Sequence, residues 1–192
     1  MNKNKTKNLI LKKAAEVFAA KGIEKTTIED ITKKIGKAKS SIYYYFNDKE
    51  ELFKEVLENE IENFKNEVIK KLNTTVDPIT KLRIYFEIRM KKTKELVNLF
   101  MIKTNEMTPQ VACVNEIRKK YDEEEINIIK GILEEGDRRN IFYFPNIENA
   151  TLVIAAALKI SELPFIIPDY ISNYDEMMDS LIDMVLYGIV KR

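Results

Sequence analysis

Residues 26–53, TTIEDITKKIGKAKSSIYYYFNDKEELF, constrain the fold more than any other stretch, because signals that start and stop helices crowd together there. Thr26 or Thr27 can accept the free N–H groups of a helix start, with Glu29 or Asp30 as the acid that reaches back. Ile28, Ile31 and Ile35 then fall on one face. Gly36 follows where a helix can end in a left-handed residue without a Cβ penalty. Beyond the turn, Ile42 and Phe46 are one helical turn apart and can bury together, which leaves Tyr43, Tyr44 and Tyr45 on a helix too short to bury them all. Asn47 with Glu50 reads as the next helix start, with Lys49 in its first turn. A cation there opposes the helix dipole, whereas N–H groups plus a lysine clamp a phosphate, so Lys49 is expected to hold one. The stretch is therefore expected to be two short helices joined by a tight turn and followed by a third, a form that presents tyrosines and lysines to DNA.

The rest of the chain is expected to be helical too. Only 5 Gly and 5 Pro occur in 192 residues rich in Lys, Glu, Ile and Leu. No apolar run reaches the roughly 18 residues that a membrane span requires. The opening MNKNKTKN lacks the apolar segment of a signal peptide, so a cytoplasmic location is expected. The net charge of +1 hides an asymmetry: residues 1–50 hold 12 Lys/Arg against 6 Asp/Glu, a net of +6, and the remainder holds 20 against 25, a net of −5. The basic part is the part with the tight turn, as expected of a nucleic-acid reader joined to a module that does not touch DNA. There is no histidine, and Cys113 is the one cysteine. That removes histidine triads, the usual zinc sites and an internal disulfide, so neither a metal nor a cofactor is expected.

Helix one is expected from about residue 5 to 21, with Ile10, Ala14, Val17 and Phe18 inward and Gly22 and Ile23 ending it. Lys3, Lys5 and Lys7 read either as a basic arm or as a solvated tail. A long helix over 48–72 has Leu52, Phe53, Val56, Leu57, Ile61, Phe64, Val68 and Ile69 on one broad face, and at about 1.5 Å per residue it is the natural mechanical link. TTVDP at 74–78 breaks it, with Pro78 opening the next helix. Residues 78–107 carry many large apolar side chains, and 109–135 form a further helix that Gly136 is expected to stop.

Phe86, Arg89, Met90, Phe100, Met101 and Glu106 are candidates to line a pocket, although aromatics and methionines at helical spacing also serve as ordinary core. Arg89 is open to two roles: binding an anionic ligand group, or lying across the surface with its head paired. Glu106 and Glu162 suit a cation, so the sign of the ligand stays open. Asn146 can cap a helix running to Leu163, where Pro164 and Pro168 end it, and Asn173 with Glu176 can start the last one. The small residues of ATLVIAAAL and the apolar face of the last helix make Ala155, Ala156, Leu181 and Val185 candidates for a dimer seam. The other possibility is that both helices close the monomer's own core.

The run GKAKSSIYYYFNDKEEL resembles the TetR/AcrR family of ligand-responsive transcriptional repressors: a glycine turn, a Lys-small-small-aliphatic-Tyr-aromatic recognition helix, Phe, and a capped helix with lysine. The upstream ILKKAAEVFAAKGIEKTTIEDI fits the same family's first helix and the start of its second. Two positions depart from the pattern. Lys37 stands where an apolar residue is common, and Ala38 stands where a capping side chain is common, so the recognition helix starts about 0.5–2 kcal/mol less well capped. The resemblance implies an all-α chain with a three-helix helix-turn-helix DNA-binding domain at 1–47, a linking helix at 48–72, and a helical ligand-binding and dimerisation domain at 73–192. It also implies a four-helix dimer bundle.

The expected partners are double-stranded operator DNA, a second copy of the chain and a small lipophilic effector, with no membrane. Lys39, Ser40, Ser41, Tyr43, Tyr44 and Tyr45 are the candidates for base edges and flanking phosphates, and Thr27, Lys37 and Lys49 for the backbone. One competing reading is a ligand-independent regulator controlled by a protein partner. Another is a helical enzyme using Glu106, Arg89 or Cys113, for which no base, metal or nucleophile pair is legible. Replacing Lys39 and Tyr44 by alanine separates binding from catalysis.

Overall fold

A computed structural model describes residues 3–100, 109–159 and 173–190. Met101, Glu106, Glu162, Leu163, Pro164 and Pro168 lie outside the described residues, as do the side chains of Phe100 and Cys113. The described helices are α1 (Lys3–Lys25), α2 (Ile28–Ile35), α3 (Ser40–Tyr43), α4 (Lys49–Asn73), α5 (Pro78–Phe100), α6 (Pro109–Arg138), α7 (Ile147–Lys159) and α8 (Tyr174–Ile189). The fold is all-α, and extended pairing among the described residues is limited to an isolated antiparallel bridge between Phe142 and Val190.

The chain divides into two units, one of Met1–Asn63 with Glu95–Lys119 and one of Phe64–Lys94 with Lys120–Arg192. Residues 95–100 and 109–119, inside the stretch 73–192, thus group with the first unit.

The first unit is built on local signals. Thr27 caps α2: its hydroxyl accepts from Asp30 N–H, and Asp30 accepts from Thr27 N–H at 3.1 Å. Gly36 ends α2 in the left-handed region (φ 71°) and donates its N–H to the Thr32 carbonyl. Gly22, at φ 74°, breaks α1 one residue before the buried Ile23, as the sequence predicts. These stops fold α1, α2, α3 and the start of α4 around Ile10, Phe18, Ile31, Ile42, Phe46, Leu52 and Phe53. Phe18 and Phe53 meet edge to face with ring centres 5.0 Å apart, an arrangement their quadrupoles favour.

The start of α4 differs from the expected Asn47–Glu50 pair. Asp48 accepts from Glu51 N–H at 2.7 Å, and Glu51 in turn accepts from Asn47 N–H at 2.6 Å. The side-chain cap thus sits one residue later than expected, on Asp48.

The second unit packs Phe64 and Val68 of α4, Leu82, Tyr85 and Phe86 of α5, Ile129 and Leu133 of α6, Ile154 and Leu158 of α7, and Met178 and Ile182 of α8 into one core. Asp77 caps α5 ahead of Pro78, Asn146 caps α7, and Asn173 with Glu176 caps α8. Gly136 does not stop α6, which runs on to Arg138; the positive-φ residue is Asn140. The glycine serves packing, since a Cβ there would overlap the Phe142 ring, and its carbonyl accepts the Ile141 N–H.

Candidate nucleic-acid interface

The tip of the first unit is a very short helix with little to hide. Backbone hydrogen bonds run from the Ala38 carbonyl to the Phe46 N–H, but no side chain caps the start, as Ala38 foretells. Ile42 and Phe46 point into the core and anchor the turn of helix. Tyr43 and Tyr44 stand out from it, 52% and 67% exposed, although an aromatic ring in water forgoes burial worth about 1.5–3 kcal/mol. Tyr45 is half-buried against the core, and Tyr44 packs edge-on to it at 4.9 Å. The three tyrosines therefore divide: Tyr45 is a prop, and Tyr43 and Tyr44 form the face.

Lys39, Ser40 and Thr27 are exposed beside this face, with Ser41 and Lys37 half-buried. Lys39 pairs with Glu29 in the first turn of α2, and that contact lowers the pKa of Glu29 and raises that of Lys39. Glu29 thus occupies the ammonium that a phosphate would take. Similar pairs bind Lys21 to Asp30 at 2.8 Å and Lys34 to Glu16 at 3.4 Å. The Asp30 carboxyl is lowered to about 2 by its hydrogen bonds from Lys21 and then Thr27.

Lys49 has a local role that the sequence reading did not weigh: its ammonium donates to the Ile23 carbonyl at 2.9 Å, beside the break in α1. Lys7 belongs to α1, pairs with Glu55 at 2.6 Å and lies 5.5 Å over the Phe46 ring, so it props the unit.

In the second unit the candidates scatter. Phe86 and Met90 are core, and Arg89, 4% exposed, is neither on the surface nor free: its Nε donates to Glu125 at 2.8 Å. Glu125 escaped the sequence reading, although it precedes Ile129, Ile132 and Leu133 at helical spacing and so stands on the apolar face of α6. Ala155 belongs to the unit's own core, Leu181 and Val185 pack partly against it, and Ala156 is exposed. The large apolar side chains left in solvent on α7 and α8 are Leu152, Val153, Met184 and Tyr187, at 53%, 67%, 74% and 73%. Pattern alone could not separate them, because α7 is apolar nearly all round.

Among the described residues no group of three or more His, Cys, Asp or Glu is placed to hold a metal, and no helix is long and apolar enough to cross a membrane.

Comparison with known proteins locates the tip within a larger pattern. Residues 10–56 match the family described as "Bacterial regulatory proteins, tetR family". The chain is 38% identical over 53 residues to the negative transcriptional regulator of the biofilm operon icaADBC, IcaR, from Staphylococcus epidermidis. That alignment spans 28% of this chain and 29% of that relative's length. A transcriptional regulator from Cytophaga hutchinsonii has a similar structure, with a TM-score of 0.80 at 27% identity over 96% of this chain and 98% of that one. A further regulator, from Saccharomonospora viridis and solved in complex with choline, shares the fold at a TM-score of 0.83 and 16% identity, over 98% of this chain and all of its own. All three are described as regulators of transcription, none as an enzyme.

Proposed function

We propose that this chain, which belongs to the tetR family of bacterial regulatory proteins, is a homodimeric repressor released from a near-palindromic operator by a small lipophilic effector. The observation that carries the proposal is the exposed pair Tyr43 and Tyr44 on a helix with a single buried member, Ile42, flanked by Lys39 and Ser40. Two rings left this exposed add little to the core of their own unit. Laid in a major groove, α3 presents Lys39, Ser40, Ser41, Tyr43 and Tyr44 to base edges and flanking phosphates, with Tyr45 bracing the ring beside it. Thr27, Lys37 and Lys49 would grip the backbone, contacts that fix register without reading sequence.

The second copy is recruited through α7 and α8, where Leu152, Val153, Met184 and Tyr187 would leave water on contact. Two copies related by a twofold place their tips in successive grooves, about 34–36 Å apart. The effector acts within the second unit; the choline complex of the Saccharomonospora viridis regulator is a precedent for a small molecule in this fold. An effector with unequal affinity for two states moves the population toward tips that no longer fit, with α4 as the link. The work is done where the operator lies, in the cytoplasm.

Footprinting on the intergenic DNA beside the coding region tests the proposal. Two protected patches one helical turn apart, related by an inverted repeat, are expected, with protection lost on adding an inducer that does not compete for the tyrosine face. A single patch, or protection by a protein that sediments as a monomer, defeats it.

A further inference from the structure

The second unit holds a charged cluster that DNA binding does not use. Glu125, 1% exposed, accepts at Oε1 from the Tyr85 hydroxyl at 2.9 Å and from Arg89 Nε at 2.8 Å. Its other oxygen, Oε2, is equally buried and has no hydrogen-bond donor among the described residues. The ammonium of Lys159 stops 3.9 Å short of it and is engaged by Asp122. Arg89 reaches Thr93 through Nη1 and lies 5.3 Å over the Tyr121 ring. A buried carboxylate oxygen without a donor is costly, and folded proteins keep few of them. An apolar side chain would fill the same space without the cost of desolvating a charge.

Resting on the effector reading above, we propose that Glu125 Oε2 anchors the effector, taking a hydrogen bond from a neutral hydroxyl or amide N–H on a lipophilic body. An anionic head is excluded because an ionised carboxylate only accepts and would meet it with like charge. A cationic head is disfavoured because, among the described residues of the cluster, the cations Arg89 and Lys159 already face Glu125 and Asp122, and a third would add like charge beside them. A neutral donor satisfies the oxygen and adds no charge.

The surroundings suit such a molecule. The rings of Phe64, Tyr85 and Tyr121 stand edge to face beside the cluster, at 6.4 Å for Phe64–Tyr85 and 5.5 Å for Phe64–Tyr121. Burial, and next the charge of Glu125, push the Tyr85 hydroxyl well above its ordinary pKa, so it stays a donor and keeps Oε1 occupied. Lys159, whose ammonium lies 3.9 Å from Oε2, and Asp122 are each more than one-third exposed, so the cluster's edge reaches solvent.

The test uses the full chain and four probes of matched length, 1-octanol, methyl heptyl ether, octanoate and octylammonium, with binding read by calorimetry and operator affinity read alongside. Octanol is expected to bind about tenfold tighter than each of the others, because a site built to hydrogen-bond a hydroxyl rejects the analogue that lacks it. Glu125→Gln, which places an N–H group where an oxygen stood, is expected to abolish that preference. If the variant does not fold, the wild-type series decides alone. Equal or tighter binding of the ether, the acid or the amine overturns the anchor, and so does binding by none of the four. Octanol preference with unchanged operator affinity keeps the anchor and removes the effector reading. Release of operator by other lipophilic compounds with no octanol preference does the reverse.

Discussion

Both units keep ion pairs at the surface, such as Lys39–Glu29 in the first and Lys130–Glu148 in the second, but among the described pairs the second unit also buries one. In the first, lysines pair with acids at the surface, as in Lys39–Glu29 and Lys21–Asp30, and every such pair among the described residues stays within reach of water. In the second, Arg89 and Glu125 pair at 5% and 1% side-chain exposure, with Tyr85 hydrogen-bonded to the carboxylate and Thr93 to the guanidinium. Exposed pairs contribute little and exchange partners at little cost, which suits a surface that must trade carboxylates for phosphates. A buried pair contributes little net stability over apolar packing but is expensive to break, which suits a centre that must hold one geometry or switch between two.

That contrast can be broken most severely at Glu125. Glu125→Ala leaves the Arg89 guanidinium buried without its carboxylate and is expected to cost about 3–5 kcal/mol in chemical denaturation. A loss no larger than that of a surface mutation would place the pair in water. Next in size, Gly136→Ala forces a methyl group into the Phe142 ring and is expected to cost about 1–3 kcal/mol, against near neutrality if the glycine merely marked the end of α6.

In the first unit the effect moves from stability to binding. Glu29→Gln is expected to leave the melting temperature unchanged while tightening operator binding and steepening its salt dependence, since Lys39 no longer has a competing carboxylate. Unchanged affinity and slope would show that Lys39 does not meet phosphate.

The smallest effect is a pH dependence. Because folding lowers the Asp30 pKa to about 2 from 3.8, its contribution to the capping box is fully present above the ordinary aspartate range and is lost as pH falls toward 2. Asp30→Asn should flatten the stability profile in that window alone.

How much of this was legible depends on the range of each signal. Thr27 with Asp30, Gly36, Gly22, and Asn173 with Glu176 act within a few residues of themselves, and all are where the sequence places them. Asn47 and Asp48 illustrate the limit: each can cap and each has an acid three positions on, so only the folded backbone chooses between them. Gly136 was misread because a stop and a close approach look alike without Phe142 in view. Lys49 has a partner that no local signal announces, the Ile23 carbonyl, a backbone group 26 positions away. Glu125 was legible in principle, as an acid on an apolar stripe, but the partner that explains it, Arg89, comes from another helix.

Whether the exposed tyrosine tip of α3 reads a duplex is decided by titrating labelled upstream DNA with wild-type protein and with Tyr44→Ala. Tyr44 is two-thirds exposed, so the variant should keep its helicity and melting temperature. It is expected to lose preference for that DNA over random competitor at moderate salt. Undiminished preference by a folded Tyr44→Ala protein would contradict that role for the tip.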